Sequence, residues 1–204
     1  RTPSWLDSGN AQGAVGLPAG TYLLKSIWEH ASNWFAEDSI VQAGGASELL
    51  GLLVKKGRER FFAERYIEGR EFNQAVLTGE FLPPSEIRFV DFPDGKPRVV
   101  DFRAKWEEES FEYTHTQRNF EFPDADRALL AELRSIAGRC WDSFSLRGYA
   151  RIDYRVDGDN RPWVLEINAN PCLSPDGGFF AAAAGRGLSF TQMVKRIVDE
   201  CLSR

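Results

Sequence analysis

Between Arg147 and Leu173 the chain reads RGYARIDYRVDGDNRPWVLEINANPCL, and this stretch restricts the fold more than any other. In GYARIDYRV, Tyr149, Arg151, Asp153 and Arg155 fall on one face of a strand and Ala150, Ile152, Tyr154 and Val156 on the other. DGDNRP carries turn chemistry, since Asp, Gly and Asn tolerate unusual backbone angles and Pro162 closes the turn. WVLEIN is a second strand, in which alternation sets Trp163, Leu165 and Ile167 against Val164, Glu166 and Asn168. Paired as a hairpin, the two strands let Arg151, Asp153, Glu166 and Asn168 share a face. Two carboxylates side by side are costly without a cation. An all-oxygen set of this kind suits Mg²⁺, which keeps some waters and completes its shell with substrate phosphates. The same spacing also describes an amphipathic hairpin with a solvated charged face, and spacing alone leaves both readings open.

Composition narrows the classes. A hydrophobic fraction of 43% and an aromatic fraction of 13% in 204 residues supply a core for one large domain or two small lobes. The formal net charge of -5 offers no basic field for nucleic acid. No apolar run has the length needed to span a bilayer, and no secretory signal opens the chain. Cys140, Cys172 and Cys201 are odd in number and lack metal-ligand spacing, which fits a reducing, cytoplasmic setting. The chain begins at Arg1 without a methionine, which leaves a missing N-terminal part open.

Taken in order, the pattern predicts a short helix around Ser4–Ser8, a strand over Thr21–Ser26 and an aromatic loop with Trp28, Trp34 and Phe35. A short strand follows at Ile40–Ala43, then a helix over Ala46–Lys56 with Leu49, Leu50, Leu53 and Val54 on one side. Glu59–Gly69 reads as a strand running into a connector. Further strands are expected over Arg70–Gly79, Ser85–Phe92 and Arg98–Phe102. Asp101–Pro123 is polar, aromatic and irregular, a long loop of the kind that usually serves function. Helices are expected over Asp124–Leu146, Gly177–Gly185 and Ser189–Leu202, the last opened by a capping box of Ser189 and Gln192. Neither GxGxxG after a strand nor GxxxxGK[ST] is present, which argues against Rossmann and P-loop sites. The class is α+β in two lobes.

With these elements in place, GYARIDYRVDGDNRPWVLEINANP resembles the C-terminal signature of ATP-grasp enzymes, especially the D-alanine–D-alanine ligases and related carboxylate–amine ligases. Arg151, Asp153, Leu165, Glu166, Asn168 and Pro171 carry the fit. FAERYIEGREFNQAVLTG resembles that family's central strand pair, FRAKW its mobile-loop lysine motif, YLLKS its strand with another ATP-binding lysine, and Thr2-Pro3 the segment that opens the domain.

The resemblance implies an ATP-grasp fold of two α+β lobes sandwiching the nucleotide. Residues of about 20–66 would form a smaller nucleotide-binding lobe and about 67–204 a larger lobe with the metal site. A separate N-terminal pre-ATP-grasp domain would be absent from this chain, and the 204 residues would be inactive alone. The implied reaction uses ATP to turn a carboxylate into an acylphosphate that an amine attacks, with small-molecule substrates, no nucleic acid or membrane partner, and a homodimer left open. Asp153, Glu166 and Asn168 would hold one or two Mg²⁺ ions, with Mn²⁺ as a substitute. Arg151 and Lys105 would be catalytic, Arg151 holding the transferred phosphoryl group. Lys25 and Lys105 would neutralise phosphate oxygens, Glu64 and the hinge Arg65, Tyr66 and Ile67 would read adenine, and Glu71 would accept from the ribose. Trp106 and its loop would close over the site and exclude water.

Two departures qualify this. The segment Glu29–Phe35 after Lys25 contains no glycine, the residue that lets backbone N–H groups approach phosphate. After Pro171 the chain reads Cys-Leu-Ser-Pro-Asp-Gly-Gly where the ligases have glycine followed by Ser and Thr, so the substrate side differs. The alternative reading is a nucleotide-binding or interaction module that has lost catalysis.

Overall fold

The computed structural model describes residues 1–7, 17–28, 37–57 and 60–203. They fall into two compact units: residues 2–67 with 89–117, and residue 1 with 68–88 and 118–204. The sequence reading assigned 89–117 to the larger lobe; by its contacts this segment groups with the first unit.

The first unit is built on an antiparallel sheet of β1 (Trp5–Leu6), β2 (Gly20–Ser26), β3 (Ile40–Ala43) and β4 (Phe61–Arg65), in the order β1-β4-β2-β3, with α1 (Ala46–Gly57) against it. Tyr22 and Leu24 of β2, Ala63 of β4 and Leu49 and Leu53 of α1 form its core. Leu49 and Leu53 are four residues apart and so share a helix face, while Val54, expected beside them, is exposed. The helix expected near Ser4 is instead a strand. Leu6 is buried, and its backbone is paired with Ala63, which a free helical turn could not achieve.

Arg98–Phe102 is not a strand, and Asp101–Pro123 is not irregular. Two five-residue helices, α2 (Phe102–Trp106) and α3 (Phe111–His115), occupy this stretch. Helices so short need their ends satisfied. The Asp101 carboxylate accepts from the Ala104 N–H at 2.8 Å, and Ser110 Oγ accepts from the Tyr113 N–H at 3.0 Å. Stacking of Phe111 on His115, with ring centroids 4.0 Å apart, and the Lys96–Glu112 ion pair hold the pair in place.

The second unit carries a sheet in the order β10-β9-β5-β7-β8, made by β5 (Arg70–Leu77), β7 (Ser85–Phe89), β8 (Thr116–Asn119), β9 (Tyr149–Val156) and β10 (Pro162–Asn168), with β6 (Glu80–Phe81) beside β5. The predicted helix over Asp124–Leu146 resolves into a 3₁₀ turn, Asp124–Asp126, and α4 (Arg127–Ser143). Alternation along β5 decides which face is covered. Phe72 and Val76 meet Leu129, Leu133 and Ile136 of α4, together with Ile152, Tyr154 and Val164. Ala75 and Leu77 point the other way, into a second core with Phe179 of α5 (Gly178–Ala184) and Met193 of α6 (Phe190–Leu202). The capping box of Ser189 and Gln192 at the start of α6 is formed as expected.

The hairpin forms over Tyr149–Asn168, with one irregularity. Val164 pairs with Tyr154 and Glu166 with Asp153, so Leu165 is an extra residue. A bulge of this kind reverses the alternation beyond it. Strict alternation would set Val164 with Glu166 and Asn168. The bulge lets Val164 and Ile167 both join the core beneath α4, while Glu166 and Asn168 lie on the opposite face. Ahead of β5, Gly69 has φ of 141°, and a Cβ there would lie 2.0 Å from the Val156 carbonyl oxygen. Only glycine allows β5 to enter so close to β9. Among the described residues, no helix is long and apolar enough to cross a membrane.

Candidate active site

The polar face of the second unit is organised as three rows across β5, β9 and β10. The rows are Glu71–Arg155–Trp163, Asn73–Asp153–Glu166 and Ala75–Arg151–Asn168. Antiparallel register partners share a face, so Arg151, Asp153, Glu166 and Asn168 are brought together as the hairpin pattern predicts.

Asp153 is at the centre. Arg151 donates to both of its oxygens, Nε to Oδ1 at 2.7 Å and Nη2 to Oδ2 at 2.8 Å, and Asn73 Nδ2 donates to Oδ1 at 2.8 Å. The charge of Asp153, more than any other neighbour, drives the Arg151 guanidinium above the ordinary arginine value, and Glu166 and Glu71 add to this. Glu166 is exposed. Asn168 Oδ1 accepts from the Asn170 N–H at 2.9 Å, and Asn170 Oδ1 accepts from the Tyr149 hydroxyl at 2.6 Å.

Glu71 is paired within the protein. Arg155 is its register partner and bonds it at 2.9 Å, with side chains 3% and 12% exposed for Arg155 and Glu71 respectively. Arg155 also donates to the Gly69 carbonyl at 2.9 Å, which ties this pair to the entry of β5. Asn73 and Arg155 were not singled out from the sequence. The signal was available in the i, i+2 spacing of Glu71 and Asn73, which puts both on one face of β5.

In the first unit, Lys25 pairs with Glu64, which is buried. The Arg65 guanidinium is drawn to the chain around Pro18 and Ala19, donating to the Ala19 carbonyl at 2.9 Å and lying over the Tyr22 ring. The N–H groups of Arg65 and Tyr66 are taken up by the carbonyls of Ser4 and Thr21. At this hinge those two N–H groups are therefore already bonded within the protein. Lys105 lies in α2, partly buried, next to the half-exposed Trp106. The glycine-free loop, with His30, Trp34 and Phe35, lies outside the described residues.

The chemistry of the donors fits a hard cation. Asp153 and Glu166 supply carboxylate oxygens and Asn168 an amide oxygen, all on one face. Among the described residues no group of three or more His, Cys, Asp and Glu side chains is gathered closely enough to hold a metal, so the set depends on its amide member.

Two units of this construction, with a carboxylate-bearing hairpin at the edge of the second sheet, have the ATP-grasp fold. The family model for the D-ala D-ala ligase C-terminus matches residues 49–199. A D-alanine–D-alanine ligase from Synechococcus sp. (strain JA-3-3Ab) is 32% identical over 169 residues, which is 83% of this chain and 47% of that protein. One from Stutzerimonas stutzeri (strain A1501) is 32% identical over 141 residues, covering 68% and 40%. Among solved structures, a D-alanine–D-alanine ligase from Bacillus anthracis complexed with ATP aligns with a TM-score of 0.69 at 19% identity, over 99% of this chain and 60% of that one. The VanG D-Ala:D-Ser ligase from Enterococcus faecalis aligns at 0.63 and 17%, over 97% and 56%. The chain belongs to the D-ala D-ala ligase C-terminal family. It spans about half the length, or less, of the curated relatives it matches.

Proposed function

We propose that this chain is the ATP- and Mg²⁺-dependent domain of a ligase that joins a carboxylate to an amine, an amino acid or peptide, through an acylphosphate. The observation that supports this reading is the row Asn73–Asp153–Glu166 beside Arg151 and Asn168, in a chain of this family. Asp153, Glu166 and Asn168 would hold one or two Mg²⁺ ions. When bound, the cation supplies neutralisation of phosphate oxygens.

The protein's own contribution is positioning. Asn73 orients the Asp153 carboxylate. Arg151 has a fixed planar guanidinium suited to a phosphoryl group or a developing oxyanion. The contacts carried over by resemblance belong to the same proposal: Lys25 and Lys105 toward phosphate, Glu64 and Arg65–Ile67 toward adenine, and Glu71 toward ribose. For Glu71, the carboxylate is already paired with Arg155.

Calorimetric titration of the chain with ATP, with and without Mg²⁺, tests the nucleotide part; no heat with Mg²⁺ present would sink it. Amine-dependent ADP release, abolished in Glu166→Gln, is the result expected of a ligase. Mg²⁺-dependent ATP binding without turnover on any amino acid or small carboxylate would identify a nucleotide-binding module instead.

A further inference from the structure

Glu112, in the first turn of α3, is a buried carboxylate, with 4% of its surface exposed. Two cations close on it from different parts of the segment 89–117. Lys96 pairs with Oε1. Arg103 Nη2 lies 3.4 Å from Oε2, an oxygen that among the described residues accepts no hydrogen bond. Burial pushes the Glu112 carboxyl up. The bond from Lys96, a bond from its own N–H and the charges of Lys96 and Arg103 outweigh this and hold it below its ordinary range. Glu112 is therefore ionised, and it holds Arg103 by charge.

The two cations are themselves fixed. The Lys96 N–H closes a turn on the Pro93 carbonyl at 3.1 Å, and its ammonium lies over the rings of Phe92 and Phe111, 5.9 and 5.1 Å from their centroids. Arg103 is gripped at both ends. Its carbonyl accepts from the Glu107 N–H and from Ser110 Oγ, each at 3.2 Å, and its guanidinium reaches Glu107 at 3.2 Å as well as Glu112. Ser110 is at the same time the N-cap of α3. A helix of five residues is too short to hold its own conformation or its rotation, and in α2 the grip on Arg103 supplies both. Lys105 follows two residues on, about 200° around the helix axis. It is thereby turned away from the side on which α3 holds Arg103.

We infer that Glu112 is a positioning residue for Lys105: through Arg103 it fixes the rotation of α2, and with it the direction from which Lys105 meets the nucleotide phosphates. The inference rests on the ligase reading above, in which Lys105 acts on phosphate. It adds a residue of a different helix on which that action depends. Glu112 itself touches no substrate and moves no proton.

The test is a mutant cycle in Mg²⁺-ATP affinity, read by calorimetry on the full chain. Lys105→Ala is expected to weaken binding. Glu112→Gln, which keeps the shape and removes the charge, and Arg103→Gln should each weaken it about 10-fold, the scale of coupling between residues that act as a unit. Arg103→Lys should retain much of the wild-type affinity. In the Lys105→Ala background neither Glu112→Gln nor Arg103→Gln should cause further loss, since Lys105 is what they act through. Equal fold losses with and without Lys105, or an affinity unaltered in both Glu112→Gln and Arg103→Gln, overturn the inference. A merely structural Glu112 would lower the urea midpoint in both backgrounds and leave the affinity of the folded protein unchanged. The Arg103 side chain is 50% exposed, so Arg103→Gln carries the cycle where Glu112→Gln fails to fold. No Mg²⁺-ATP binding by wild type, or undiminished binding by Lys105→Ala, would strike at the ligase reading and take the inference with it. A normal Lys105 effect with an additive cycle would strike only at Glu112.

Discussion

Asp153 and Glu166 are register partners across β9 and β10, although Val164, two residues before Glu166, lies on the opposite face beside Tyr154. Residues two apart in a regular strand share a face. The extra residue Leu165 is what permits both placements at once. Deleting Leu165 would force either Val164 out of the core or Glu166 and Asn168 into it. Burying an unpaired carboxylate costs about 3–5 kcal/mol, so the deletion should lower the urea midpoint sharply and abolish Mg²⁺-dependent ATP binding. Leu165→Ala keeps the bulge and should retain that binding.

Asn73 holds Asp153 from the neighbouring strand. Asn73→Ala should leave the fold intact and weaken Mn²⁺ binding in the presence of ATP by about 10-fold, the scale on which residues supporting metal ligands act. Electron paramagnetic resonance of free Mn²⁺ reads this directly, and an unchanged affinity would remove Asn73 from the site.

Arg155 and Glu71 form a nearly buried ion pair. Removing one member leaves the other charged and without its partner, so Arg155→Met should destabilise by about 3–5 kcal/mol in urea unfolding. Glu71→Gln together with Arg155→Met should recover much of that loss, because the stranded charge is gone.

Gly69 admits β5 at a positive φ with the Val156 carbonyl in the way of any side chain. Gly69→Ala is expected to cost about 3 kcal/mol or more, strain and overlap acting together. A loss under about 1 kcal/mol in thermal or urea unfolding would mean that the strand entry can relax.

Acid should unfold this protein through specific carboxylates. The Trp163 indole, 3.0 Å from Asp157, and then bonds from Arg161 hold the Asp157 carboxyl at about 2, against an ordinary 3.8. Hydrogen bonds from Arg70, both at 2.7 Å, hold Asp126 low as well. Both folded values lie below the unfolded ones, so the unfolded chain binds more protons on acidification. The stability they contribute is complete above the ordinary aspartate range and is lost as pH falls toward about 2. Asp126→Asn should flatten the dependence of the urea midpoint between roughly pH 5 and pH 2.

Where burial and period agree locally, the sequence was a sufficient guide. The strands at Gly20–Ser26, Arg70–Leu77 and Tyr149–Val156, the helix α6 with its Ser189–Gln192 box, and the turn at Asp157–Arg161 all follow from side chains within a few residues of one another. Trp5–Leu6, Val54 and the capped helices α2 and α3 did not follow. A two-residue strand exists only because β4 is there to pair with it, and a five-residue helix only because Asp101 and Ser110 satisfy its end.

By itself the sequence determined the family and the partners of the hairpin face, because Arg151, Asp153, Glu166 and Asn168 are fixed by spacing across one turn. Only the tertiary structure decided what surrounds that face. The bulge at Leu165, the support of Asp153 by Asn73 and the commitment of Glu71 to Arg155 depend on groups far apart in the chain. The physical reason is that strand alternation acts between neighbours, whereas register, bulges and ion pairs are set by which strands come to lie side by side.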